Sequence, residues 1–324
     1  MQNSSDNIML FNAGEVFAGK KSSKFVAGFK ERTAFVPDAD DNYVIPASWG
    51  PDIAIWFVHF RDPLFIFGPT GCGKTSCLKQ FASRINYPVY EVTGHNRLEF
   101  PELIGHHTVE NGNMRFEYGP LAKAMRDGGI FLINEVDLLP PDVMAGMNSI
   151  LDGSPLCIAE NGGEVIKPHK MFRFVATANS NGTGDSTGLY QGVLRMNMAA
   201  ADRFLAVQAD YMRADEEVKL IVKAFPQFEG DTVERMVRYA NNIRELFRGD
   251  VTEETTATQL GCTMSTRSIM RWAAYASIMF EAVPDANSTR KNEFLLAALK
   301  RTLIFKASAT DQLVLIELFQ RIFG

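Results

Sequence analysis

The chain has 324 residues, 46% of them hydrophobic and 22% charged, with a formal net charge of −5. That composition suits a globular chain long enough for two domains of about 100–200 residues each, and no apolar run reaches the roughly 18–20 residues that span a bilayer. The acidic balance speaks against a broad nucleic-acid-binding face, which needs clustered lysine and arginine. The first seven residues are polar and lack a secretory core, so a cytoplasmic location is expected. Cys72, Cys77, Cys157 and Cys262 form no C-x-x-C pair, so neither a zinc site nor a redox motif is indicated.

In chain order, residues 1–50 show little periodicity and predict an N-terminal arm with short strands. A helix opened by Pro51 is expected over 51–60, an apolar strand over 64–67, and a helix over 75–84. Strands are expected at 89–92, 129–133 and 172–177, alternating with helices at 121–127 and 143–151. This rhythm predicts an α/β fold, a parallel sheet with helices on both faces, over residues 51–210. Two hairpins interrupt it, at 108–118 around Asn111-Gly112 and at 156–167 around Asn161-Gly162-Gly163, because Asn-Gly is a strong hairpin signal. They read either as a working surface beside the nucleotide elements or as ordinary surface loops. Residues 211–324 change character. Amphipathic helices are expected at 214–225, 232–248, 266–280, 292–305 and 312–323, a smaller helical lid domain.

Between the strand at 64–67 and the helix after it lies Gly68-Pro69-Thr70-Gly71-Cys72-Gly73-Lys74-Thr75. It fits the phosphate-loop pattern G-x-x-x-x-G-K-[ST] in its strand–loop–helix context. The glycines let backbone N–H groups turn inward toward phosphate oxygens, and the helix N-terminus adds positive potential. Lys74 reaches the β- and γ-phosphates, and the Thr75 hydroxyl ligates Mg²⁺. Cys72 reads as a small loop filler, with a redox-sensitive thiol as the sharper alternative. The strand at 129–133 runs into Asn134-Glu135, where most P-loop ATPases carry Asp-Glu. Glu135 is the expected activator of the attacking water. Asn134 would hold Mg²⁺ through water without a negative charge, which implies weaker metal binding or slower turnover. On this reading Asn134→Asp raises Mg²⁺ affinity or rate. Asp137 reads either as a compensating acid or as a helix cap. Asn179 follows the strand at 172–177, where a polar group would orient the lytic water.

These residues, with Glu102-Leu103-Ile104-Gly105, the block from Pro168 to Asn179, the stretch 182–192, Asp202-Arg203-Phe204 and Met264-Ser265-Thr266-Arg267, resemble the AAA+ ATPases. Within them the chain is similar to the MoxR group, on its CobS-like cobaltochelatase branch, over roughly residues 35 to 285. The resemblance implies ATP and Mg²⁺ as cofactors and a homo-oligomeric ring, a hexamer, with ATP bound between subunits. It makes Asn179 the first sensor, Arg203 the arginine finger acting on a neighbouring subunit, and Arg267 the second sensor on the lid, with Arg195 as another finger candidate. A finger in trans is worth about 10³–10⁵ in rate.

Three functions remain open at this point. The first is a chaperone-like ATPase that remodels or activates a protein partner, by family a von Willebrand A-domain protein. The second is a nucleic-acid motor in defence or mobile-element biology, gripping a strand with the 108–118 hairpin and Arg115. The third is a nucleotide-binding scaffold with weak hydrolysis, suggested by Asn134.

Overall fold

The structure is a computed structural model that describes residues 7–184, 192–249 and 259–324. Most of the polar start and residues 185–191 of the 182–192 block lie outside the described residues. The chain divides into two compact units, Met1–Pro69 with Lys74–Asp210, and Thr70–Gly73 with Tyr211–Gly324.

The first unit opens with an antiparallel ribbon of β1 (Ile8–Asn12) and β2 (Phe25–Phe29), joined through the short helix α1 (Ala13–Ala18). Helix α2 (Gly50–His59) starts with Pro51 in its first turn, where the missing N–H costs nothing. Strand β3 (Leu64–Phe67) leads through the glycine-rich loop into α3 (Lys74–Ser83), followed by β4 (Val89–Thr93) and α4 (Phe100–Ile104). The first hairpin is β5 (Gly105–Glu110) with β6 (Asn113–Tyr118). Then come α5 (Pro120–Asp127), β7 (Gly129–Asn134), α6 (Pro141–Leu151) and the second hairpin, β8 (Leu156–Ile158) with β9 (Glu164–Ile166). Strand β10 (Phe172–Ala178), the short α7 (Met198–Ala201) and β11 (Leu205–Gln208) complete the unit.

Five strands form one parallel sheet in the order β11-β3-β10-β7-β4. Its central strands are continuous apolar runs because both faces are covered: Leu64, Ile66, Ile130 to Ile133, Val175 and Ala176 are fully buried. Strand β11 was not expected from the sequence. It is short and lies at the sheet edge, with Leu205, Ala206 and Gln208 exposed and only Val207 buried, so its apolar signal is faint.

Arg173 on β10 is a buried cation that meets no carboxylate among the described residues. It donates to the carbonyls of Trp56, Phe57 and Phe60 at the C-terminus of α2 and stacks 4.4 Å from the Trp56 ring. The negative end of a helix and an aromatic face stand in for an acid. Burial pulls its guanidinium down to about 10, which leaves it protonated at neutral pH.

The two hairpins are tied together. The Tyr118 hydroxyl donates to Glu164 Oε2 at 2.7 Å, Asn161 Nδ2 donates to the same oxygen at 2.6 Å, and His107 Nε2 lies 2.8 Å from the Glu160 carbonyl. Their outer faces expose Val109, Met114 and Val165.

The second unit is helical: α8 (Ala214–Ala224), α9 (Gly230–Arg248), α10 (Thr266–Ala282), α11 (Ser288–Thr302) and α12 (Ala309–Phe323). Its core gathers Ile221, Val233, Met236, Ile243, Trp272, Leu295, Leu299 and Phe319. Among the described residues no helix is long and apolar enough to cross a membrane.

Candidate nucleotide site

In a parallel sheet every strand points its C-terminal end to the same edge, and ligands bind there. Strand β10 lies between β3 and β7, so the loops leaving these three strands converge. Leaving β3, Gly68 has φ 151°, and a side chain there would collide with the Ala209 carbonyl, so only glycine fits. Lys74, the first residue of α3, is 9% exposed. Its ammonium donates to the carbonyls of Gly68 and Pro69 at 2.7 and 3.0 Å, and to Asn179 Oδ1, just past β10, at 3.1 Å. Three of the acceptors around this cation at the sheet edge are neutral oxygens, and incoming phosphate oxygens would be stronger acceptors.

Thr75 Oγ1 donates to Asn134 Oδ1 at 2.6 Å, and Thr177 Oγ1 donates to the same oxygen at 3.0 Å. Asn134 Nδ2 donates to Glu91 Oε1 on β4 at 2.6 Å, and the other oxygen of Glu91 is bound by the Lys79 ammonium. These bonds explain the asparagine. Its oxygen serves two hydroxyls, while its amide hydrogens serve a carboxylate that a second acid would repel. The oxygen-only donor set of Thr75, Asn134 and Thr177 fits a hard cation such as magnesium, which keeps most of its waters and relies on substrate phosphates. Among the described residues no cluster of histidine, cysteine, aspartate and glutamate could hold a metal by itself.

Glu135 is exposed and takes a left-handed conformation, φ 54° and ψ 45°. For a residue other than glycine this is strained, and such strain gathers at working sites. Asp137 is buried, and neither role weighed from the sequence describes what it does. Its Oδ2 accepts from the backbone N–H groups of Asn179 and Ser180 and from the Ser180 hydroxyl, each at 3.1 Å. It therefore fixes the turn that carries Asn179. Its other oxygen is buried with no partner among the described residues, and Asp137 is one of the residues lining a cavity of about 270 Å³.

Arg203 follows α7 and lies away from this group of residues. It grips Asp152 at the end of α6 with two parallel bonds, Nε to Oδ1 at 2.7 Å and Nη2 to Oδ2 at 3.0 Å, and it also donates to the Ala199 carbonyl. The guanidinium holds the Asp152 carboxyl below the usual carboxylate range. Arg195 donates to the Thr183 carbonyl at 2.9 Å. In the second unit, Arg267 is exposed on the first turn of α10 and forms no ion pair among the described residues. Of the loop residues that count with this unit, Cys72 is buried, and Gly71 has φ 71° with Ser265 against it.

The structure thus brings Lys74, Thr75, Asn134 and Asn179 together, with Glu135 next along the chain, and leaves Arg203 paired elsewhere. Sequence reasoning passed over Glu91, Thr177 and Asp152. Glu91 and Asp152 lie 43 and 51 residues from the partners they bind, so no local spacing marks them.

Comparison with known proteins agrees with this arrangement. Residues 63–195 match the family described as AAA domain (dynein-related subfamily), and residues 217–289 match the CbbQ/NirQ/NorQ C-terminal family. The chain is 31% identical to the aerobic cobaltochelatase subunit CobS of a Sinorhizobium species, covering 96% of this chain and 89% of that protein. It is 27% identical to protein NorQ of Paracoccus denitrificans, over 82% of this chain and 92% of that one. It is 30% identical to the denitrification regulatory protein NirQ of Stutzerimonas stutzeri, over 61% and 69%. With a parallel sheet, a phosphate loop at its C-terminal edge and a helical C-terminal region, the chain belongs to the MoxR group of AAA+ ATPases, the family of CobS, NorQ and NirQ.

Proposed function

We propose that this chain is a magnesium-dependent cytoplasmic ATPase that assembles into a ring, a hexamer by its family, and couples ATP binding and hydrolysis to the remodelling or metal-insertion activation of a protein partner. The observation that carries this reading is the buried Lys74 ammonium held between the loop carbonyls and Asn179. Phosphate oxygens arriving there replace neutral acceptors with charged ones, and the N-terminal N–H groups of α3 face the same charge. Bound magnesium would be held by Thr75, with Asn134 accepting from its water, and would supply charge neutralisation at the phosphates. Glu135, exposed next to Asn134, takes the proton of the attacking water. Asn179, locked by Asp137, orients that water. Arg203 leaves Asp152 to reach the nucleotide of a neighbouring subunit, and Arg267 senses the γ-phosphate from the lid. The partner reading draws on the relatives, one named as a subunit of a cobaltochelatase and one as a regulatory protein of denitrification. A partner with a von Willebrand A domain fits it.

The test is ATP turnover on size-fractionated protein, with Lys74→Ala and Arg203→Ala alone and mixed. Turnover is expected in the ring fraction only. Each variant alone is expected to be inactive, and the mixture to recover part of the rate, because it forms interfaces with one intact site and one intact finger. Failure of the wild type to take up Mg-ATP, or a mixture as silent as its components, would refute the reading.

A further inference from the structure

The helical unit contains a fully buried ion pair that the chemistry above leaves unused. Glu217 on α8 and Arg244 on α9 meet through two parallel bonds, Nη2 to Oε1 at 2.7 Å and Nη1 to Oε2 at 2.8 Å, with side-chain exposures of 0% and 4%. Removing two charges from water is costly, and apolar residues usually join helices as well or better. The packing of Ile221 with Val233 and Ile243 already serves that purpose. The remaining bonds of the pair set it apart. Arg244 Nε donates to the Met264 carbonyl at 2.8 Å, and the Thr266 hydroxyl donates to Glu217 Oε1 at 2.6 Å. Met264 and Thr266 flank Ser265, the N-cap of α10. The pair therefore clamps the entry to the helix on both sides of its cap, and Arg267 is the next residue.

The other side of Arg244 faces the phosphate loop. Its guanidinium lies 4.2 Å from the Tyr211 ring, and the Tyr211 hydroxyl donates to the Thr70 carbonyl at 3.1 Å. Ser265 itself touches the loop: a Cβ added to Gly71 would lie 2.5 Å from Ser265 Cβ. A continuous path thus runs from Thr70 to Thr266, buried along its middle at Tyr211, Arg244 and Glu217.

We propose that Tyr211, Arg244, Glu217 and Thr266 are positioning residues that set the orientation of Arg267 by tying the start of its helix to the phosphate loop. This rests on Arg267 acting as the lid sensor. A guanidinium fork fixes both distance and plane, so a shift of Thr70 on phosphate binding reaches the helix entry as a rigid displacement and not as a relaxed side-chain motion.

Glu217→Ala would strand a buried arginine and unfold the unit, so the test uses milder changes. Tyr211→Phe keeps the ring under Arg244 and removes the bond to Thr70. Thr266→Val keeps the shape and removes the bond to Glu217. ATP turnover is measured for each, alone and combined with Arg267→Ala, with thermal melting as the control for folding. Each single change is expected to lower kcat about five- to tenfold with KM moved less than about twofold, and to add nothing in the Arg267→Ala background. Wild-type kcat in both, or losses that multiply with that of Arg267→Ala, would overturn the positioning role while the sensor stands. Wild-type turnover in Arg267→Ala would instead remove the sensor reading, and the positioning role with it.

Discussion

Asn134→Asp restores the acid that most P-loop ATPases carry at this position, and the sequence alone suggests a gain. For folding stability without metal, the structure predicts a loss. Asn134 Nδ2 donates to Glu91 Oε1 at 2.6 Å, and an aspartate would place one carboxylate oxygen against another. A hydrogen bond to a charged group, about 1.5–3 kcal/mol, is lost. Two like charges about 4 Å apart repel by about 4 kcal/mol at an effective dielectric of 20. The Glu91 side chain is 32% exposed and already paired with Lys79, so screening reduces that repulsion to about 1–2 kcal/mol. The sum is about 2.5–5 kcal/mol, equivalent to a fall of about 5–20 °C in Tm at roughly 2–4 °C per kcal/mol. The deficit has a definite pH dependence. The crowded carboxylates hold a proton more tightly folded than unfolded, so folding is favoured at low pH, and the advantage is lost as pH rises through the raised value. The assay is thermal unfolding of wild type and variant at pH 5 and pH 8 without magnesium. The gap is expected to widen at pH 8, to narrow with Mg-ATP, and to close in the Glu91→Gln, Asn134→Asp double variant. An Asn134→Asp protein that melts at or above wild type at pH 8 without metal would refute the reasoning.

Other changes separate roles within the same site. Glu135→Gln is expected to keep ATP binding and to lose at least about 100-fold in turnover, as removal of a general base does; near wild-type rates would take Glu135 out of that role. The Arg203–Asp152 pair is expected to open as pH falls through the lowered value of Asp152, beneath the usual carboxylate range, and to be absent at every pH in Asp152→Asn. Nε–H exchange of labelled arginine follows it, and unchanged protection in the variant would show that the pair does not hold Arg203. Arg173→Met leaves the carbonyls of Trp56, Phe57 and Phe60 without their donor, at about 1–3 kcal/mol each before water reaches them. A loss of at least about 3 kcal/mol by urea unfolding is expected, with ATP affinity of the folded protein unchanged.

The sheet was legible where both faces are buried. Leu64 to Phe67 and Gly129 to Ile133 are unbroken apolar runs ending in punctuation, so length and flanking glycines mark them as strands. Strand β11 escaped because an edge strand with one buried residue has no run to read. Helix starts were misjudged where polar residues open the helix: α9 begins at Gly230 and α11 at Ser288, ahead of their first apolar turns. The loop residues and Asn134 and Asn179 stand at fixed spacing from strand ends and could be found from motif alone. Their partners could not. Glu91, Asp137 and Asp152 act through side chains brought close by sheet order and by a turn, and neither is encoded in local sequence. Asp137 shows the difficulty best: a carboxylate just ahead of a helix looks like a cap, but it binds the turn after a neighbouring strand.

The bonds from Tyr118 to Glu164 and from His107 to Glu160 have a consequence for how this protein varies. Two hairpins from separate places in the chain are joined by these bonds into one ribbed plate. Lengthening or retwisting either one alone breaks its stitching to the other, so new specificity on that face must arise by paired edits. A graft of the outer surface onto another scaffold would have to carry both ribbons at once.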